Sequence, residues 1–322
     1  MYKVIMAPTE GSDAESGAIS AAVKLAQRFG ADLHLVRVLT APLVIEMVPS
    51  PPVLEITEQT LRDERAARLH KLEALGTELR TLGNIRVVTA LVDGRVSPTL
   101  RDYANESSAD LIVMSSHSRG GLKRITLGSV TDFLIRNTHI PVLVVKPPAA
   151  FIGATHEETV ARIVVPLDGS AMAEQILPEV AALALGLNAT VHLLQVLTPQ
   201  TYSQEQIVEP GYPWWEAAIA GADAYLSGPA GSLAKDGVKV NKEVILGESV
   251  ATAIMDYAAR IEANLIAIAT SGSGGMTRFV FGSVADAVTR LSPTSLLVFH
   301  PRREAATSDA PDSSDAQALT GA

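Results

Sequence analysis

Apolar residues arrive along this chain in two alternating rhythms. Short β-branched and aliphatic runs are separated by longer stretches in which apolar positions recur at helical spacing. The short runs are apolar at successive positions, the pattern of strands covered on both faces. The first is Val4–Pro8, followed by Thr9-Glu10-Gly11-Ser12. Ser12 with Glu15 reads as a capping box for a helix that runs to Phe29 and stops at Gly30. A second strand is expected over 32–38. Residues 41–52 are rich in proline and cannot be helical; they read as a partly ordered flap before a long charged helix over 57–82. A third strand follows over 85–92. Ser97-Pro98 reads as an N-cap with proline at the first helical position, opening a helix to about residue 107. Then come a strand at Leu111–Ser115, a helix at Ser129–Asn137 and a strand at Val142–Val145. Strand and helix alternate throughout, which predicts a parallel sheet with helices on both faces.

The same order then repeats. Residues 109–132 and 263–286 align without a gap at a constant offset, 263 − 109 = 154 and 286 − 132 = 154. Each copy is an apolar strand, a loop of small residues, and a Gly-Ser pair opening a helix. That layout suits an anion, because loop N–H groups and the positive end of a helix dipole converge. Strands expected over 163–167 and 191–196 match the first two, with Asp168-Gly169-Ser170 standing where the first half has Glu10-Gly11-Ser12, 168 − 10 = 158. Residues 198–215, with Tyr212, Trp214 and Trp215, replace the first flap. A helix over 216–234, a strand over 238–246, a helix capped by Ser249 and a last strand Ser295–Phe299 complete the repeat. The expected division is 1–147, a linker at 148–160, 161–301, and a disordered tail at 302–322.

Composition narrows the class. The 322 residues are 47% hydrophobic and 19% charged, enough for a core in each half. There is no cysteine, which removes disulfides and thiolate metal sites and fits a reducing compartment. The net charge of −9 argues against a phosphate-backbone footprint, so no nucleic-acid partner is expected. No apolar run reaches membrane-spanning length and the first ten residues do not read as a signal peptide, so the expected location is the cytoplasm.

These features together resemble the universal stress protein family in its tandem form. The opening strand leads into an acid-Gly-Ser turn, the fourth strand leads into the small-residue loop, and Gly-Ser-Val opens the next helix. The resemblance implies two flavodoxin-like, adenine nucleotide alpha hydrolase-like domains, each a five-stranded parallel sheet of order 3-2-1-4-5. Ligands in such sheets sit where the strand order reverses, here between the first and fourth strands. It also implies an adenine nucleotide, ATP with or without Mg²⁺. ATP-binding relatives resemble a pattern G-x2-G-x9-G-[ST]. Here those positions are Ser115, Ser118, Gly128 and Ser129 in the first half, and Ala269, Gly272, Gly282 and Ser283 in the second. The second half keeps more glycines, and a Ser forced to positive φ costs on the order of 1–2 kcal/mol, so the second site is expected to be the more competent. Val130 and Val284 follow the Gly-Ser pairs. By resemblance Glu10 and Asp168 contact the ribose or the metal–phosphate region. Pro8, Thr9, Pro166 and Leu167 line that edge, and Val38 and Val196 offer backbone groups to adenine. Lys123, Arg124 and Arg278 could screen phosphate charge. The last strands of the two halves are expected to pair within one chain, hiding two sheet edges; a homodimer is the other arrangement such strands allow.

Plainer readings stand beside these. Ser129 with Asp132, and Ser283 with Asp286, would also serve as ordinary helix caps. Glu10 and Asp168 would also serve as solvated loop carboxylates. His34 and His192 occupy matching strand positions and read as packed histidines, and no other histidine has metal-ligand spacing. Lys123 and Arg124 also suit a solvated face, and Trp214-Trp215 a packed flap. There is no P-loop G-x4-G-K-[ST], and a dehydrogenase would carry its glycines after the first strand. The loop 271–275 faintly resembles that of ATP pyrophosphatases, but it follows the wrong strand. No nucleophile–base pair is apparent, so no enzyme is expected. Three functions stay open: an ATP-binding stress-response module that senses or signals, a nucleotide-free scaffold acting through its flaps, and a slow ATPase.

Overall fold

A computed structural model of the protein describes residues 2–11, 15–40, 58–116, 127–146, 161–198, 214–270 and 282–301. The first half runs β1 (Val4–Pro8), α1 (Ser16–Phe29), β2 (Asp32–Leu39), α2 (Glu58–Gly83), β3 (Val87–Asp93), α3 (Val96–Glu106), β4 (Leu111–Ser115), α4 (Ser129–Asn137) and β5 (Val142–Val145). The second runs β6 (Arg162–Pro166), α5 (Ala171–Glu174), α6 (Leu177–Leu187), β7 (Thr190–Leu197), α7 (Trp214–Lys235), β8 (Lys239–Leu246), α8 (Val250–Arg260), β9 (Leu265–Ala269), α9 (Ser283–Leu291) and β10 (Ser295–Phe299). The flap at 41–52, the linker and the tail fall outside the described residues.

All the strands share one ten-stranded sheet of order β3-β2-β1-β4-β5-β10-β9-β6-β7-β8. Each half is therefore the expected parallel 3-2-1-4-5 sheet. The halves join by antiparallel pairing of β5 with β10, in the register Leu296↔Val144, Leu297↔Leu143 and Val298↔Val142. Successive strand residues feed opposite faces. Ile5, Leu33 and Leu111 pack with α1, α2, α6 and α7, whereas Met6, Val36 and Ile112 pack with α3, α4, α8 and α9. Ile5, Leu33, Leu111, Ile112, Leu143 and Ile163 are wholly buried, each stabilising the fold by roughly 1.5–3 kcal/mol.

Helix starts depart from the sequence expectation in three places. α3 opens at Val96, with Arg95 as N-cap and no side-chain cap bond. Ser97 and Pro98 thus lie inside its first turn, where a proline is tolerated because the first N–H groups have no intrahelical acceptor anyway. Glu15 is itself the residue before α1 and gives that helix no side-chain cap bond. Trp214 and Trp215 open α7 rather than belonging to a flap. Ser249 caps α8 as expected, its side chain accepting from the Thr252 N–H.

Three further contacts close the seam between the halves. Tyr2 packs edge-on to Phe29, with ring centroids 5.0 Å apart, and its hydroxyl donates to Glu179 Oε2 at 2.8 Å. The Phe29 ring lies over Gly186, where an added Cβ would come within 2.4 Å of it, so no larger residue fits there. Lys146, buried just past β5, donates its Nζ to the carbonyls of Thr289, at 3.1 Å, and Ser292. It thereby satisfies carbonyls at the C-terminal end of α9 with a cation from the other half.

Val144 is flanked by Met114 on one side and Leu296 on the other. Val144→Pro removes a donor in mid-sheet and should cost at least about 1–3 kcal/mol, with a larger radius in small-angle scattering; unchanged unfolding and radius would refute the seam. Burial lowers the pKa of Lys146 from its ordinary value to about 8. Between about pH 8 and 10.5 the unfolded chain holds this proton more tightly than the folded one, so the Lys146 contribution rises with pH there and is flat below. Denaturant titrations of the wild type and Lys146→Met should therefore diverge further as pH climbs through that window, and parallel curves would contradict it.

Candidate functional site

β1 lies between β2 and β4, and β6 between β7 and β9. The strand order reverses at each of these places. In both halves the turn after the first strand is pinned the same way: the Thr9 N–H donates to Val36 O at 2.8 Å, and the Leu167 N–H to Leu194 O at 2.8 Å. Gly11 and Gly169 then take φ of +77° and +87°. Only glycine reaches that region without strain, which explains the glycine of the acid-Gly-Ser turn. β2 and β7 continue beyond the last residues paired with β1 and β6, Val36 and Leu194. Val38 and Val196 therefore lie on edges that the first strands no longer cover.

The two turns are held differently. In the first half the Glu15 carboxylate folds back over the turn. It accepts from Thr9 Oγ1 at 2.7 Å, from the Glu10 N–H at 2.9 and 3.0 Å, and from the Gly11 N–H at 3.3 Å. This replaces the expected capping-box role of Glu15; Ser12 lies outside the described residues. Glu10 itself is exposed. In the second half Asp168 Oδ1 accepts from the Ser170 N–H at 2.9 Å, and Ser170 caps α5 by accepting from the Ala173 N–H at 3.1 Å. Across this turn the Tyr225 hydroxyl donates to Glu174 Oε1 at 2.8 Å. Burial, then the Glu174 bond, raises the Tyr225 pKa, and the Gly169 N–H bonds the same hydroxyl.

On the opposite wall, β4 and β9 end at Ser115 and Ala269. The N-caps of α4 and α9 are Gly128 and Gly282, at φ −61°, ψ 147° and φ −62°, ψ 146°. Neither helix has a side-chain cap bond. The expected caps, Ser129 with Asp132 and Ser283 with Asp286, do not form, because each serine is already the first helical residue. Any residue can adopt the angles of these glycines, so conformation does not explain them. The first intrahelical bonds are Asp132 N–H to Gly128 O and Asp286 N–H to Gly282 O. The N–H groups of Ser129, Val130, Ser283 and Val284 precede them and point out of the helix ends.

Asp132 and Asp286 instead join the halves. Arg136 bonds Asp132 at 3.0 Å and Asp286 at 2.6 Å, while Arg290 bonds Asp286 at 2.9 Å and Asp132 at 3.4 Å. Arg290 and Arg136 hold the Asp286 carboxyl below its usual range. The quartet is half-exposed, so each pair contributes at most about 1 kcal/mol, yet it ties the first turn of each helix to the last turn of the other.

Other expectations resolve as follows. Ser118, Gly272, Lys123, Arg124 and Arg278 lie outside the described residues. His34 and His192 each set Nδ1 at 3.1 Å from a tyrosine hydroxyl, Tyr103 and Tyr257, and burial lowers both histidine pKa values. They are packed residues. Among the described residues no group of three metal-ligating side chains occurs, and no helix is long and apolar enough to cross a membrane. An open cleft of about 580 Å³ runs along α8 past Gly247, Thr252 and Tyr257, and its lining includes none of the expected site residues. Glu15 and Tyr225 were not singled out by sequence as site residues. The contrast of Glu15 with Ala173 at the same offset, 173 − 15 = 158, was the signal available for the first.

A family model described as the universal stress protein family matches residues 1–146 and, again, 159–300. The chain belongs to the universal stress protein family. A universal stress protein of Methanocaldococcus jannaschii is 32% identical over 148 residues, 46% of this chain and 84% of its own length. One of Mycolicibacterium smegmatis is 24% identical over 300 residues, 92% of this chain and 97% of its own. The crystal structure of a universal stress protein from Archaeoglobus fulgidus superposes with a TM-score of 0.64 at 16% identity, over 92% of this chain and 98% of that one. A putative universal stress protein from Pseudomonas aeruginosa gives 0.65 at 19%, over 93% and 94%. At those identities the structures establish the shared fold of this universal stress protein, and nothing about its ligand.

Proposed function

We propose that this tandem universal stress protein binds an adenine nucleotide, ATP in its Mg²⁺ form, in one or both switch-point crevices, and serves in the stress response by sensing or signalling rather than by turning over substrate. The working unit is a pair of domains, 1–147 and 161–301, joined by a linker and acting in the cytoplasm. The observation that carries this is the twofold occurrence of one arrangement. An acid-bearing glycine turn ends the first strand, and beside it a helix begins with a bare glycine cap. Donor groups at such a helix start favour phosphate.

The residues present fit a metal-bound nucleotide. Mg²⁺ keeps most of its waters and needs only one or two carboxylates beside the phosphates, so the absence of a three-ligand cluster among the described residues is no obstacle. Asp168 spends Oδ1 on Ser170 and has Oδ2 to offer. With Glu174 beside Tyr225, the second turn carries two carboxylates, and a divalent cation would offset their repulsion of a triphosphate. Gly282, Ser283 and Val284 would hold phosphate, Pro166 and Leu167 the adjoining edge, and Val196 the adenine. Gly128, Ser129, Val130, Pro8, Thr9, Glu10 and Val38 are their first-half counterparts.

Trp215, 44% exposed at the start of α7, favours a second reading in which the protein is a nucleotide-free scaffold acting through contacts with other proteins. Calorimetry separates the two. Under the first, MgATP binds the wild type, Gly282→Trp loses at least a hundredfold in affinity at the site it serves, and chelating Mg²⁺ weakens binding tenfold or more (about 1.4 kcal/mol). A wild type silent to MgATP, ADP and AMP would rule the first reading out.

A further inference from the structure

Among the differences between the two crevices, Glu15 against Ala173 changes most what the turn can offer. In the first half the Glu15 carboxylate takes the hydroxyl of Thr9 and the N–H groups of Glu10 and Gly11. These are the donors that the turn after β1 presents. The guanidinium of Arg37 lies against the same turn, its Nη1 3.2 Å from where a Cβ on Gly11 would stand. In the second half the residue matching Glu15 is Ala173, and Gln195 matches Arg37, 195 − 37 = 158. Ala173 has no group to fold back. The Gly169 N–H bonds the neutral hydroxyl of Tyr225. Gln195 Oε1 is buried without a hydrogen-bond partner among the described residues.

We infer that Glu15 is a built-in anion that occupies the first crevice and excludes nucleotide from it, so that this chain binds one nucleotide, in the second half. The inference rests on the reading that the crevices bind adenine nucleotide, and it says which one does. A carboxylate holding several donors, two of them backbone N–H groups, is a strong internal ligand, since hydrogen bonds to a charged acceptor are the strong ones. It also sits at the start of α1, where the helix dipole favours negative charge. An incoming ribose or phosphate must displace it, leave a carboxylate without its partners, and approach its charge. The second turn has carboxylates of its own, Asp168 and Glu174, but neither must be displaced from the N–H groups of the turn in the way Glu15 must.

The test isolates the first crevice. Wild type should bind one equivalent of MgATP by calorimetry, and Gly282→Trp should bind none. Adding Glu15→Gln, which removes the charge and keeps the side-chain length, should restore one equivalent in the Gly282→Trp background, with affinity at least tenfold above that of Gly282→Trp alone. Glu15→Ala should do the same, and thermal melts establish that each variant is folded. Two equivalents bound by wild type would overturn the inference while leaving nucleotide binding intact. So would a Gly282→Trp protein that still binds as wild type does, or folded Glu15 variants that gain nothing. A wild type that binds nothing while Glu15→Gln gains a site would uphold exclusion by Glu15 but overturn the assignment of a nucleotide to the second half. Silence from every variant would sink both.

Discussion

Antiparallel pairing of β5 with β10 is the constraint from which the rest of the molecule follows. A five-stranded half left alone would expose the outer edge of β5, a row of unpaired backbone groups that templates association. Joining the two last strands inside one chain hides both edges at once and leaves only β3 and β8 at the margins of the sheet. It also fixes the relation of the halves, because an antiparallel pair has a definite register. The helices that follow β4 and β9 are then brought side by side. Asp132, Arg136, Asp286 and Arg290 meet for that reason, although the two aspartates lie 286 − 132 = 154 residues apart in sequence. The quartet contributes little to stability at half-exposed positions. Its consequence is geometric: side chains of the two glycine-capped helices meet across the seam.

The polar groups buried at this seam are specialised in a way the repeat makes visible. Lys146 and His300 are equivalent residues, 300 − 146 = 154, and both are buried just beyond the last strand of their half. Lys146 reaches carbonyls at the end of α9. His300 bonds Thr270 of its own half, and its carbonyl lies 3.3 Å from Nδ1 of His139 in the other. Burial, then the neighbouring His139, lowers the His300 pKa to about 4, so it is neutral at physiological pH. One side of the seam thus carries a cation on helix carbonyls and the other a neutral imidazole. Two like cations are never brought together across a low-dielectric boundary.

Much of this fold was legible in the sequence, for identifiable reasons. β4, α4, β5 and β10 fall where the sequence places them, residue for residue, because the three strands are short and mostly apolar and Gly128 marks the start of α4. The internal repeat showed the order of elements occurring twice, and the family resemblance supplied the strand order. Errors came where a local rule had a stronger competitor. Ser97-Pro98 satisfies the cap rule, yet the chain already turns at Gly94 and its first α3 bond is Thr99 N–H to Arg95 O. Ser129 and Ser283 satisfy it too, but the glycine before each is the cap, and the acids that would complete the box are drawn to arginines of both halves. The site was legible in outline only. Sequence put Gly128, Gly282, Glu10 and Asp168 at the reversal of strand order. It did not show that Glu15 folds back over its own turn, since the capping rule assigns the same carboxylate to a different N–H. Nor did it mark Tyr225, whose bond to Glu174 spans 51 residues and leaves no local pattern.

A duplicated site frees one copy to change, and the physical cost of change differs between its two walls. The helix-start wall is constrained twice over. Its glycine leaves bare backbone at the helix end, and the first turn beyond carries an aspartate that also holds the other half. Both copies keep Gly-Ser-Val and the aspartate. The turn after the first strand is constrained only at its glycine, by the positive φ of Gly11 and Gly169. Around that glycine the halves diverge freely: Glu10 against Asp168, Glu15 against Ala173, Arg37 against Gln195. Glu15 against Ala173 and Arg37 against Gln195 change the charge, Glu10 against Asp168 only the reach of a carboxylate, and the strand pairing of Arg37 and Gln195 is kept. Divergence of ligand preference between the halves is therefore expected at the turn wall and not at the helix wall, because only there can a side chain change without loosening the pairing that holds the molecule together.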